Sequence, residues 1–278
     1  MAKQVGLHGI RGKVNGYSYY GSKNGGELMR KINEGMGERV KKDVAYANTR
    51  LNNAEFGGAG SFAGAIVRTI THRWRFILNS IATGDLVKVV KEGMMADPSG
   101  AWGFRSLSVG GVSAVIEKFN QQSKNQMPEI ISQYLKSSFK YDPEDELVFN
   151  GSALNTTEEF CQPYIAKGAD GFNLLLYAFS VSTPVRNNAD DKYQTPVINI
   201  KNLDEFQQQD VPFSPGRPII DSETSEECIF SLTLNQRSAS GILAIMLPYK
   251  TVGTKNYVLQ ELCSAYWTSI EEGTAPQP

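Results

Sequence analysis

Apolar and polar positions alternate in three different textures along the chain. Near the N-terminus, short aromatic and aliphatic runs are punctuated by glycine: "YSYY" is followed by "SKNGG" and then "ELMRKI". Asn24-Gly25 between two β-favouring runs is a hairpin signal, because both residues tolerate positive φ. A hairpin is expected from Val14 to Ile32. Beyond it Ile32, Met36, Val40, Val44, Ala47 and Leu51 recur at the helical period. Gly35 and Gly37 would each cost about 1 kcal/mol inside a helix, so the helix is expected only over Glu38–Asn52. The run "EFGGAGSFAG" reads as an interruption in which Ser61 caps the next helix. From Phe62, the stripe Ile66, Val67, Ile70, Trp74, Ile77, Leu78 and Ile81 predicts the most regular helix of the chain. A short helix is expected over Asp85–Met95, a strand at "VSAVIEKF" and a helix at "PEIISQYLKSSF".

The texture changes near Tyr141. Six β-like runs come next, "DELVFNGS", "GFNLLLYAFSVS", "TPVINIK", "ECIFSLTL", "GILAIMLP" and "NYVLQELCSAYWTSI", with turn-forming residues between them. Such spacing predicts an antiparallel β-sandwich of immunoglobulin-like size. In "GFNLLLYAFSVS" both alternating sets are apolar, Leu174 and Leu176 against Leu175 and Tyr177, which marks a central strand. The connection from Asn202 to Cys228, with Pro212, Pro215 and Pro218, is expected to be a long ordered loop. The predicted class is therefore α+β: a glycine-rich basic hairpin arm (1–37), a mostly helical region (38–140) and an acidic immunoglobulin-like β-sandwich (141–278).

Charge sharpens that division. The chain holds 28 Lys and Arg against 29 Asp and Glu, yet residues 1–140 carry 20 against 10 and residues 141–278 carry 8 against 19. An excess of +10 facing one of −11 suggests that the basic part of one copy meets the acidic part of another. Cys161, Cys228 and Cys263 have neither zinc spacing nor a histidine beside them and are expected to be buried thiols. No apolar run reads as a secretory leader or a membrane span. The expectation is a soluble protein made in a reducing cytoplasm and placed, when assembled, in a particle such as a virion.

Chemical motifs are weak. "GLHGIRGKV" resembles a phosphate loop, but Gly6 and Gly12 enclose five residues where four are needed, and Val14 replaces the hydroxyl that holds magnesium. "GGAGSFAG" misses dinucleotide spacing by one residue at Gly64; a flexible helix entry packing closely on a neighbour accounts for it better. His8 and His72 are too few for a conventional zinc site, and "DPEDE" (142–146) lacks the glycine and distal glutamate of a calcium loop. No catalytic residue, metal or cofactor is predicted. What remains is a cluster of basic and aromatic side chains: Arg11, Lys13, Tyr17, Tyr19, Tyr20, Lys23, Arg30 and Lys31. Tyrosine and arginine anchor protein interfaces, and the same chemistry stacks bases and pairs phosphates.

Residues Gly12, Lys13, Val14, Gly16, Tyr17, Gly25 and Arg30, in "GKVNGYSYYGSKNGGELMR", are similar to the opening of an uncharacterised family from Bacteroidota and their phages. The family's C-terminal strand carries a Ser-x-x-Tyr-like signature, and "CSAYWTSI" around Ser264 and Tyr266 resembles it. The resemblance implies the order hairpin, helices, β domain, and a setting in a virion, tail or surface assembly; it implies no activity. The resulting expectation is a non-enzymatic structural protein that self-associates through its arm, head to tail, into a ring or filament. Binding of nucleic acid by the basic half is one alternative. Glycan binding, with Trp267 and the tyrosines as stacking platforms, is the other.

Overall fold

The computed structural model describes residues 3–5, 9–21, 27–70, 72–79, 82–97, 100–141, 146–149, 154–187, 192–203, 208–216, 218–220, 228–231 and 238–269. Lys23, the Asn24-Gly25 pair, Ile81 and residues 142–145 of the acidic run lie outside these. The chain divides into two compact units, Met1–Asn53 and Ala54–Pro278.

The first unit opens with β1 (Lys3–Val5), β2 (Gly9–Val14), β3 (Tyr17–Gly21) and β4 (Glu27–Lys31), a four-stranded antiparallel sheet in chain order. The expected hairpin strands are β3 and β4, paired from Tyr17 opposite Lys31 to Gly21 opposite Glu27. A further hairpin joins β2 to β3 at Asn15-Gly16, whose φ values of 45° and 77° are the two positive angles a two-residue turn requires. The helix expected over Glu38–Asn52 is broken. α1 (Met36–Lys42) ends where Asp43 is extended and its carboxylate accepts the Ala45 N–H at 3.0 Å. That local bond competes with helix continuation. Arg50 donates to the Val40 and Asp43 carbonyls at 2.9 and 2.8 Å, satisfying groups the break leaves open.

α2 (Ala47–Thr69) runs through "EFGGAGSFAG" without interruption, so Ser61 is a helix-interior residue and not a cap. Burial outweighs the glycine cost here: Ala59, Phe62, Ala63, Ala65 and Ile66 are fully buried. Gly58 is required for a specific reason, since the Tyr193 ring lies where a Cβ would stand. The apolar stripe stays buried at Ile70, Trp74, Ile77 and Leu78, but beyond Thr69 it is carried by a 3-10 turn over His72–Ile77. α3 (Ala82–Met95), α4 (Val109–Asn120) and α5 (Glu129–Ser138) come next. "VSAVIEKF" is thus helical, in place of the strand expected. The Ser108 hydroxyl accepts the Gly111 N–H at 3.2 Å and starts α4, while Val115, Ile116 and Phe119 fall on one buried face.

The remaining elements are β5 (Phe139–Tyr141), β6 (Glu146–Phe149), β7 (Leu154–Asn155), α6 (Glu158–Ile165), β8 (Gly171–Ser182), β9 (Arg186–Asn187) and β10 (Lys192–Tyr193). Then come β11 (Ile198–Asn202), β12 (Gln208–Pro212), β13 (Pro218–Ile220), β14 (Cys228–Ser231), β15 (Ser238–Val252), β16 (Lys255–Val258) and β17 (Ser264–Ser269). β12 and β13 occupy part of the expected long loop. The main sheet is six-stranded and antiparallel: β8 pairs β11 and β12 on one side and β15 on the other, and β15 carries β16 and β17.

β8 is central, as its two apolar faces require. Phe172, Leu174, Leu176 and Ala178 meet α5 and α6 through Ile131, Leu135, Phe160 and Cys161. On the opposite face Phe179 and Val181, with Leu243, Ile245 and Trp267, meet α2, α3 and α4. The immunoglobulin-like sandwich is not confirmed. Where it needs a second facing sheet, this open sheet carries helices on both faces.

β17 lies at an edge of the main sheet, and side chains close that edge. The Trp267 N–H donates to Asn120 Oδ1 at 2.7 Å, while Asn120 Nδ2 donates to the Trp267 carbonyl at 2.8 Å. The Ala265 N–H donates to Ser123 Oγ at 3.0 Å, and Asn125 Nδ2 to the Cys263 carbonyl at 2.9 Å. One amide side chain thus imitates a neighbouring strand and blunts an edge that otherwise invites another chain. Asn120→Ala is expected to destabilise by about 1–3 kcal/mol, the cost of stranding buried backbone groups, and to increase light scattering during thermal melting. An unchanged melt would show that the edge does not depend on this bond.

A candidate assembly interface

The predicted site residues lie on three adjacent strands. Arg11 and Lys13 are on β2, Tyr17, Tyr19 and Tyr20 on β3, and Arg30 and Lys31 on β4; Lys23 is outside the described residues. Cross-strand pairing sets their faces. Tyr17 stands opposite Val14 and Lys31, and Tyr19 opposite Gly12 and Met29. Ser18 is opposite Lys13 and Arg30, and Tyr20 opposite Leu28. One face therefore presents Tyr17, Tyr19, Met29 and Lys31, and the other Lys13, Tyr20, Leu28 and Arg30. Gly12 has φ 112°, and the Arg11 guanidinium lies where a Cβ on Gly21 would stand. A side chain at position 21 would displace it.

Residues 11–21 and 27–53 include no buried one. Tyr17, Tyr20, Leu28 and Met29 are 37%, 44%, 46% and 57% exposed, high values for such side chains on a sheet. Leu28 and Met29 were not among the predicted site residues, although "ELMRK" sets two bulky apolar residues in an arm with little else to bury. Where β3 begins and β4 ends, an open groove of about 490 Å³ is lined by Tyr17, Lys31, Glu34, Met36 and Arg39. Its lining mixes charges of both signs with apolar surface, a composition that suits a polypeptide.

Unit Ala54–Pro278 has polar and aromatic features of its own. Glu55 is fully buried, pairs with Lys91, lies 3.8 Å from Arg105 Nη1 and accepts the Gly103 N–H at 2.7 Å. The Tyr193 hydroxyl, pushed up to about 12 by burial and next by the Glu55 charge, donates to the Arg105 carbonyl at 2.7 Å. This network ties the 100–107 segment to α2 and α3. Its members are distant in sequence, and no local pattern announced it. Trp267 is 1% exposed and packs edge-on against Phe119 and Phe179, with ring centroids 5.6 and 4.6 Å away. It belongs to the core and cannot serve as a glycan-stacking platform.

Cys161 and Cys263 are free and buried; burial pushes both thiols up, Cys263 to about 12 with a smaller contribution from Glu261. Thiols so placed are poor nucleophiles. Among the described residues no group of three His, Cys, Asp or Glu is placed to hold a metal, and no helix is long and apolar enough to cross a membrane. No family model matches the chain, and neither the curated proteins nor the solved structures contain a match to it.

Proposed function

We propose that the chain is a non-enzymatic assembly protein that associates with copies of itself through the unit Met1–Asn53. One observation carries this reading: a four-stranded sheet in which residues 11–21 and 27–31 include no buried one, yet which presents Tyr17, Tyr20, Leu28 and Met29 to solvent. Ordering backbone costs about 1–2 kcal/mol per residue, and strands whose side chains stay exposed recover little of it. Burial against a partner supplies the missing apolar contact. β4 carries Glu27 at one end and Arg30 and Lys31 at the other, so an antiparallel second copy can oppose unlike charges. The setting that fits is a virion, tail or surface assembly, as the resemblance to Bacteroidota and phage proteins implies.

The test compares the full chain with one lacking residues 1–32 by light scattering. The described buried residues run from Glu55 to Thr268, so the truncated chain keeps its core.

A further inference from the structure

We infer that the self-contact is β4 against β4 of a second copy, antiparallel about a two-fold axis at Met29. This rests on the reading that the N-terminal unit self-associates, and it names the surface and the symmetry. Among the described residues β4 ends its sheet, paired with β3 on one side only, and all five of its residues are exposed. An open edge of this length is a template for another strand. The opposite edge, β1, is only three residues long.

The sequence of β4, Glu-Leu-Met-Arg-Lys, selects one register. A partner that continues the sheet by a two-fold axis normal to it keeps each face on its own side, so opposed positions must share parity. Centring on Met29 places Glu27 opposite Lys31 of the second copy, twice, with Met29 against Met29. Centring on Leu28 places Glu27 opposite methionine and leaves both cations overhanging. Centring on Arg30 sets arginine against arginine. Only the Met29 register opposes unlike charges, and cross-strand charge pairs are what align strands. Glu27 and Lys31 belong to none of the ion pairs formed among the described residues. Tyr19 lies opposite Met29, and Tyr17 opposite Lys31, on the same face. An aromatic and thioether band would therefore run continuously across the axis. The product is a closed dimer with an eight-stranded sheet, in place of the head-to-tail ring or filament expected from the charge division.

Full-length variants test this by sedimentation. Glu27→Lys and Lys31→Glu each oppose like charges, so each is expected to raise the dimer dissociation constant on the order of tenfold. The double variant Glu27→Lys/Lys31→Glu restores unlike pairs and is expected to recover wild-type affinity. Met29→Cys, at the axis where antiparallel Cα atoms lie about 4.5–5.5 Å apart, is expected to form a dimer-linking disulfide under mild copper-catalysed air oxidation. Failure of the double variant to recover affinity, together with no Met29→Cys cross-link, would overturn the β4 contact; if removing residues 1–32 still abolished association, the broader reading would survive. A full chain that stays monomeric would overturn both.

Discussion

Glu55→Ala is expected to lower the free energy of unfolding by about 3–5 kcal/mol, the range seen when one partner of a buried ion pair is removed. Glu55 has no solvent exposure, and its carboxylate is where Lys91, Arg105 and the Gly103 N–H converge. Alanine leaves two cations, whose side chains are only 16% and 24% exposed, without their anion, and leaves a buried backbone donor unmade. Glu55→Gln keeps an acceptor for Gly103 and so should cost less. Urea unfolding of the three proteins provides the comparison. A loss below about 1 kcal/mol for alanine would mean that the network is no stronger than a surface ion pair.

Trp267→Ala is expected to cost a similar amount, about 3–5 kcal/mol, from lost transfer energy and the cavity left behind. Its ring fills the space between Phe119 of α4 and Phe179 of β8, so it holds the helical layer against the sheet. Trp267→Phe should be milder, because the indole Nε1 finds no hydrogen-bond acceptor among the described residues and a phenyl ring strands no donor. Denaturant midpoints distinguish this from a ligand-binding role, in which truncation would leave stability nearly unchanged.

Where local signals agreed with tertiary packing, the sequence was legible. The β3–β4 hairpin, α5 and the central position of β8 all arise from period and punctuation. Asn15-Gly16 carried the same hairpin signal as Asn24-Gly25, and reading it would have extended the arm to a sheet. Other features depend on partners far along the chain. The glycines of α2 look like a break until Tyr193 is seen lying against Gly58. The β-branched residues of "VSAVIEKF" favour a strand, but Ser108 caps them and their burial at helical spacing decides for α4. A strand apolar on both faces announces that both are covered, not whether helices or a second sheet do the covering. For the site, the basic and aromatic residues were identifiable, but they were grouped as one cluster. Strand parity divides them between two faces, and it adds Leu28 and Met29 to the surface they form.

The central claim is that the N-terminal unit joins copies of the chain, and light scattering on the full chain and on the chain lacking residues 1–32 tests it most directly. The full chain is expected to show a mass above that of one copy that rises with concentration, and the truncated chain the mass of a single folded copy. Equal masses for the two proteins across the same concentration range would contradict it.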